Sequence, residues 1–155
     1  MTLDIFEAIK TQDPKVLRSI IATDPNCLSS IDPRGFTPLI LATYMGAMEV
    51  TKTLLEHDID VNAKDASGNT ALMGVSFKEA IEYADLLIDA GADIDAINNN
   101  GTTALSFAAT YGKERMVQYL IAKNADKSIS DTQGKSALEH AKEKGFENIV
   151  SLLMD

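Results

Sequence analysis

The chain of 155 residues contains one cysteine, no tryptophan and two histidines. A single thiol, Cys27, excludes an intramolecular disulfide and fits a reducing compartment. No Cys/His cluster has the spacing of a zinc site, and neither metal nor cofactor is expected. Positive charge is also scarce: 14 Lys and Arg against 23 Asp and Glu leave a net charge of −9. A protein that works by neutralising phosphates is expected to be basic. DNA, RNA and anionic membranes are therefore poor partners. No stretch approaches the ~20 apolar residues that span a bilayer. The first ten residues carry no basic segment, and Asp4 and Glu7 interrupt their apolar run, which reads against a secretory signal. A cytoplasmic monomer is expected. The glycine-rich phosphate-binding patterns, G-x-G-x-x-G and G-x-x-x-x-G-K, do not occur.

What is present is ordinary globular composition, 45% apolar and 24% charged, arranged with a period. Gly35, Gly68, Gly101 and Gly134 stand 33 residues apart. The same shift superposes Leu39, Leu72, Leu105 and Leu138, then Leu54, Leu87, Leu120 and Leu153, without a gap. Asp32, Asp65 and Asp131 share a column with Asn98. Each unit opens on a hydroxyl that suits a helix N-cap: Thr37-Pro38-Leu39, Thr70-Ala71-Leu72, Thr103-Ala104-Leu105 and Ser136-Ala137-Leu138. A two-turn helix follows and ends at Gly46, Gly112 or Gly145. A second amphipathic helix comes next, carrying Met48, Thr51 and Leu54 in the first copy and Met116, Val117 and Leu120 in the third. The chain then runs extended to the next Asp-x-x-Gly turn, where glycine permits positive φ. One such unit cannot bury its own apolar face, but a stack of them can.

The period of 33, the Thr37-Pro38-Leu39 motif, the small-residue column at Ala42 and the run Gly91-Ala92-Asp93-Ile94-Asp95-Ala96 resemble the ankyrin repeat family. The resemblance covers residues 32–155 as four copies. It implies an all-α solenoid of stacked helix-turn-helix units with hairpin-like loops. The expected organisation is a single domain, 1–155. Residues 2–31 form an N-terminal capping repeat, in which Ile20-Ile21 match Leu54-Leu55. Full repeats follow at 32–64, 65–97 and 98–130, then a C-terminal capping repeat at 131–155. With both ends reading as caps, a complete protein is expected.

Departures from the family pattern are informative. The usual histidine after Thr-Pro-Leu is replaced by Ile40, Met73, Ser106 and Glu139. In the second copy Gly74 and Val75 stand where the first has Leu41 and Ala42, and Glu79 stands where the other copies have glycine. Either Glu79 is strained at positive φ or its turn is rebuilt. In the strained case Glu79→Gly is expected to stabilise.

Signals for catalysis are weak. His57 and His140 lie three copies apart and read as surface residues. Cys27 has no histidine in its own segment to act as a base. Pairs such as Glu79 with Glu82, or Asp131 with Glu143, are easily imagined among 23 acids and read as solvated carboxylates. Asn100-Gly101-Thr102 fits a glycosylation sequon, but Asn98-Asn99-Asn100-Gly101 is better read as turn chemistry. What remains is surface. The resemblance implies binding through hairpin tips and the exposed side of the first helices. Carried to this chain, that concave face holds Arg34, Phe36, Tyr44, Met45, Phe77, Lys78, Asn100 and Tyr111, with Lys64 nearby. Aromatic and Arg residues on an exposed face favour interface hot spots. The reading is a non-catalytic module that binds a protein partner as adaptor, inhibitor or regulator. The alternatives are a toxin-neutralising immunity protein, a self-assembling structural protein and, last, an enzyme with a carboxylate site.

Overall fold

A computed structural model describes residues 3–155. They form ten α-helices in five antiparallel pairs: α1 (Ile5–Thr11) with α2 (Pro14–Thr23), α3 (Pro38–Tyr44) with α4 (Met48–Leu55), α5 (Ala71–Phe77) with α6 (Ile81–Asp89), α7 (Ala104–Thr110) with α8 (Glu114–Ala122), and α9 (Ala137–Lys144) with α10 (Glu147–Met154). A short 3-10 turn, Pro25–Ser29, fills the longer connection after α2. No strand is formed among the described residues; Ser130 and Ser136 make one isolated antiparallel bridge. The first helices pack in a continuous row, α1 on α3 on α5 on α7 on α9.

The caps are those the sequence supplies. The side chains of Thr37, Thr70, Thr103 and Ser136 accept from the backbone N–H three residues on, at 3.1, 3.3, 3.1 and 3.3 Å. Asp4 does the same for α1. Where the family's histidine is missing, Met73 Sδ accepts from the Thr70 N–H at 3.5 Å and Glu139 accepts from the Ser136 hydroxyl. The hairpin tips are Asx turns. Asp32, Asp65, Asn98 and Asp131 each accept from the N–H groups two and four residues ahead. Adjacent tips are tied: Asn99 N–H donates to the Ser67 carbonyl and Thr132 N–H to the Asn100 carbonyl.

The core is the expected line of small and branched residues, with Leu39, Leu72, Leu105, Leu54, Leu87 and Leu120 all buried. Hydroxyls enter it only with partners. Thr43, Thr51 and Ser76 donate to carbonyls four residues back. No buried side-chain nitrogen or oxygen among the described residues is left unpaired. Two expectations are corrected. In the N-terminal pair Leu17 and Ile21 are buried while Ile20 is only partly so. These residues lie 33 before Val50 and Leu54, so Ile21, and not Ile20, occupies the column of Leu54. Burial of an i, i+4 pair sets that register. His140 is not a free surface residue: its Nε2 lies 2.7 Å from Asp131 Oδ2, with the imidazole side chain 19% exposed.

Candidate functional site

The first helices carry their buried columns inward and present Tyr44, Phe77 and Tyr111 outward, at 56%, 45% and 50% exposure. These rings are large apolar groups on the exposed face of the row of first helices. They do not stand alone. Phe36 lies 5.9 Å from Tyr44 between ring centroids, Phe77 meets Tyr111 edge-to-face at 4.7 Å, and Phe107 stacks on Tyr111 at 6.4 Å. Such pairs hold the rings in place without covering them.

Two cations border the rings. The Arg34 guanidinium sits 4.7 Å over Phe36 and is bound by Asp32 at 3.0 Å. Burial would raise the Asp32 carboxyl, but the Phe36 N–H and the Arg34 guanidinium outweigh it and hold the group below its ordinary value. The Lys78 ammonium stands 4.1 Å over the Tyr44 ring and donates to the Tyr44 carbonyl. No carboxylate lies within ion-pair distance of Lys78 among the described residues. The structure thus brings together Arg34, Phe36, Tyr44 and Lys78, and beside them Phe77 with Tyr111. It adds Phe107, which is partly buried and stacks on Tyr111.

Three further residues make contacts of their own. Met45 follows the last turn of α3 and is half-buried against the core, with its N–H returned to the Leu41 carbonyl. Its backbone stays right-handed, so the side chain packs instead of projecting. Asn100 is exposed on a hairpin tip, where its N–H donates to Asn98 Oδ1 and its carbonyl accepts from Thr132. These bonds are those of its turn and of the tie to the next tip. Lys64 reaches along the loops to the Ile97 carbonyl at 2.8 Å.

Between α3 and α5 the face that carries Tyr44 is notched. A recess of about 180 Å³ is lined by Phe36, Ile40, Tyr44, Ala71, Val75 and Lys78, with Gly74 in its wall. Gly74 lies in the middle of α5, and a β-carbon placed there would meet nothing within 4 Å. Its φ is not positive. Glu79, by contrast, holds φ 57°, and its carboxylate accepts from the Arg115 N–H at 3.1 Å, in the first turn of α8.

The remaining chemistry is committed elsewhere. Glu143 pairs with Lys135 at 2.8 Å, not with Asp131. His57 Nδ1 is bonded to the Thr53 carbonyl at 2.8 Å. Burial, helped by Asp24, pushes the Cys27 thiol up, away from the nucleophilic thiolate. Cys27 lines a larger hollow of about 570 Å³ at the α1–α2 end, with Leu3, Phe6, Ile20 and Ile31. No group of three or more His, Cys, Asp or Glu suited to a metal ion occurs among the described residues. No helix there is long and apolar enough to cross a membrane.

Comparison with known proteins agrees with this geometry. The family model described as ankyrin repeats (3 copies) matches residues 5–98 and again 75–155. Among curated proteins the chain is similar to the ankyrin repeat and SAM domain-containing protein 6 of Rattus norvegicus, 34% identical over 63 residues. The Mus musculus protein of the same name is 33% identical over 63 residues. Each alignment covers 41% of this chain and 7% of the relative, so the likeness concerns a small part of those longer proteins.

Proposed function

The chain belongs to the ankyrin repeat family, and from that premise we propose that it binds a protein partner on its concave face without catalysis. Ankyrin repeats are in general protein–protein interaction modules, and the family is typically non-enzymatic. One observation carries the finer reading: Tyr44, Phe77 and Tyr111 remain about half exposed on one face although each is braced by a neighbouring ring or cation. A braced aromatic loses little rotamer freedom on docking, so more of its burial appears as affinity. The rings are held by helices whose caps and core are satisfied, so the surface is formed before the partner arrives.

The test begins with capture of a partner from the native cell and titration calorimetry of variants against it. Tyr44→Ala, Phe77→Ala and Tyr111→Ala should keep the fold in thermal melts. At least one should weaken binding by ~2 kcal/mol or more, the size of a hot spot. His57→Ala, His140→Ala and Cys27→Ser should bind as the parent does. Full binding by all three aromatic variants would place the partner on another face. Loss of a measurable turnover in a histidine or Cys27 variant would overturn the non-catalytic reading.

A further inference from the structure

A glycine inside a helix has two common explanations: a backbone angle that other residues avoid, or a neighbour packed too close for a side chain. Neither holds for Gly74. Its φ is not positive, and the space where its side chain would project is open. Its column holds Leu41, Phe107 and His140 in the other copies, so a large side chain is compatible with this position of the stack. Nothing inside the chain explains the missing side chain, and the space it leaves opens onto the concave face.

We propose that the recess beside Gly74 receives one aliphatic side chain of a partner segment that carries a carboxylate next to it, the carboxylate pairing with Lys78. This rests on the concave-face reading above and names the partner's chemistry. Size selects the aliphatic part. The recess of about 180 Å³ is smaller than the ~300–1,000 Å³ of small-molecule sites. Its walls are mainly apolar: Phe36, Ile40, Tyr44, Ala71 and Val75. Charge selects the rest. Arg34 is already neutralised by Asp32, whereas Lys78 holds only the Tyr44 ring and carbonyl. An ammonium has three donors, so Lys78 keeps two to offer. A partner that covers Lys78 must supply a counter-charge or leave a buried cation unpaired, which is costly. Asp65 also lines the recess, but its Oδ1 is turned into the hairpin by the N–H groups of Ser67 and Asn69, and it makes no ion pair with Lys78. The net charge of −9 opposes an acidic segment at long range, but salt at physiological strength screens that field beyond about 8 Å.

The experiment is selection of random displayed heptapeptides on the immobilised full chain, in parallel with Gly74→Leu, Lys78→Gln, Lys78→Glu and Tyr111→Ala. The parent should enrich peptides with Leu, Ile or Met beside Asp or Glu. Representative synthetic peptides should bind Gly74→Leu at least tenfold more weakly, with an undiminished thermal midpoint. Lys78→Gln should keep the aliphatic preference and lose the acidic one; Lys78→Glu should reverse it to Lys or Arg. Enrichment of basic peptides by the parent, or of none above an unrelated control protein, would overturn the proposal. So would parent-like binding by Gly74→Leu. If binding survives Gly74→Leu but falls with Tyr111→Ala, the recess fails and the concave face stands. If it survives Gly74→Leu and also Tyr44→Ala, Phe77→Ala and Tyr111→Ala, both readings fail.

Discussion

At Glu79 the backbone and the side chain act on stability in opposite directions. A non-glycine residue in the left-handed region costs about 1–2 kcal/mol, and Glu79 sits there at φ 57°. Its carboxylate, however, satisfies the Arg115 N–H at the start of α8, and such a cap is worth about 1 kcal/mol. The sequence shows the missing glycine but not the cap, because Arg115 is 36 residues away. The expectation that Glu79→Gly stabilises is therefore revised. Urea unfolding should find Glu79→Gly within about 0.5 kcal/mol of the parent, and Glu79→Ala destabilised by about 1 kcal/mol, since alanine loses the cap and keeps the strain. Equal effects of the two variants would show that the backbone is unstrained. Asp131 gives a second prediction. The Lys135 N–H, against some burial and together with His140, holds its carboxyl below the ordinary value. A depressed carboxyl stabilises the fold above its unfolded value of about 3.9, and that contribution is lost as pH falls through the folded value. Asp131→Asn should keep the turn, as Asn98 does at the same position of the preceding repeat. Its thermal midpoint should change less than the parent's between pH 5 and pH 2. Parallel curves would remove Asp131 from the acid response.

Leu72 and Leu105 sit in α5 and α7, each buried in a first helix that touches the first helices on both sides. Truncation to alanine should cost ~2–5 kcal/mol in chemical unfolding. A shift no larger than that of a surface Lys→Ala control would remove the column from the core. Gly74 in the same helix should respond with the other sign. An interior glycine costs about 1 kcal/mol relative to alanine, and the methyl of Gly74→Ala would meet no atom within 4 Å. The variant should gain roughly that amount; a loss would mean that α5 needs its glycine for a backbone reason. Elements of this kind were legible from sequence because their signals are local and repeated. A hydroxyl before Ala-Leu or Pro-Leu, an Asx turn and a glycine stop each act within four residues, and each occurs several times. The exposure of Tyr44, Phe77 and Tyr111 was legible only through the family's pattern, carried over position by position. What was not legible crosses between repeats or depends on one turn's rotation. Lys78 over Tyr44 and the half-burial of Met45 arise when helices are set side by side, Asp131 reaches His140 through the turn of its own unit, and the spacing of 33 is silent about side-chain reach.

In a stack where each unit touches only its neighbours, stability is close to a sum of unit and interface contributions, so the weakest unit sets where the molecule opens. The second helices make that comparison possible. In α4 the buried residues are Val50, Thr51, Thr53 and Leu54, and in α8 they are Met116, Val117 and Leu120. In α6 they are Ala84 and Leu87 alone. Alanine in place of a larger apolar side chain forfeits much of the ~1.5–3 kcal/mol that its burial supplies. Compensation comes from polar ties to the next unit: Tyr119 donates to Asp85 at 2.7 Å, and Lys123 approaches the same carboxylate at 3.8 Å. Burial first, then the Asp85 bond, raises the Tyr119 hydroxyl above its ordinary value, so it stays a donor at neutral pH. Exposed pairs of this type are worth ~1 kcal/mol or less, which does not replace the missing burial. The unit of α5 and α6 also carries the strained Glu79 and the interior Gly74. The middle of the row, and not only its ends, should therefore open at low free energy. Native-state hydrogen exchange should show amides of residues 81–89 exchanging faster than those of 114–122 under conditions where both open locally. Gly74→Ala should slow exchange across 71–89 more than across 114–122. Equal protection of α6 and α8, or slower exchange in α6, would show that the inter-repeat ties outweigh the sparse burial.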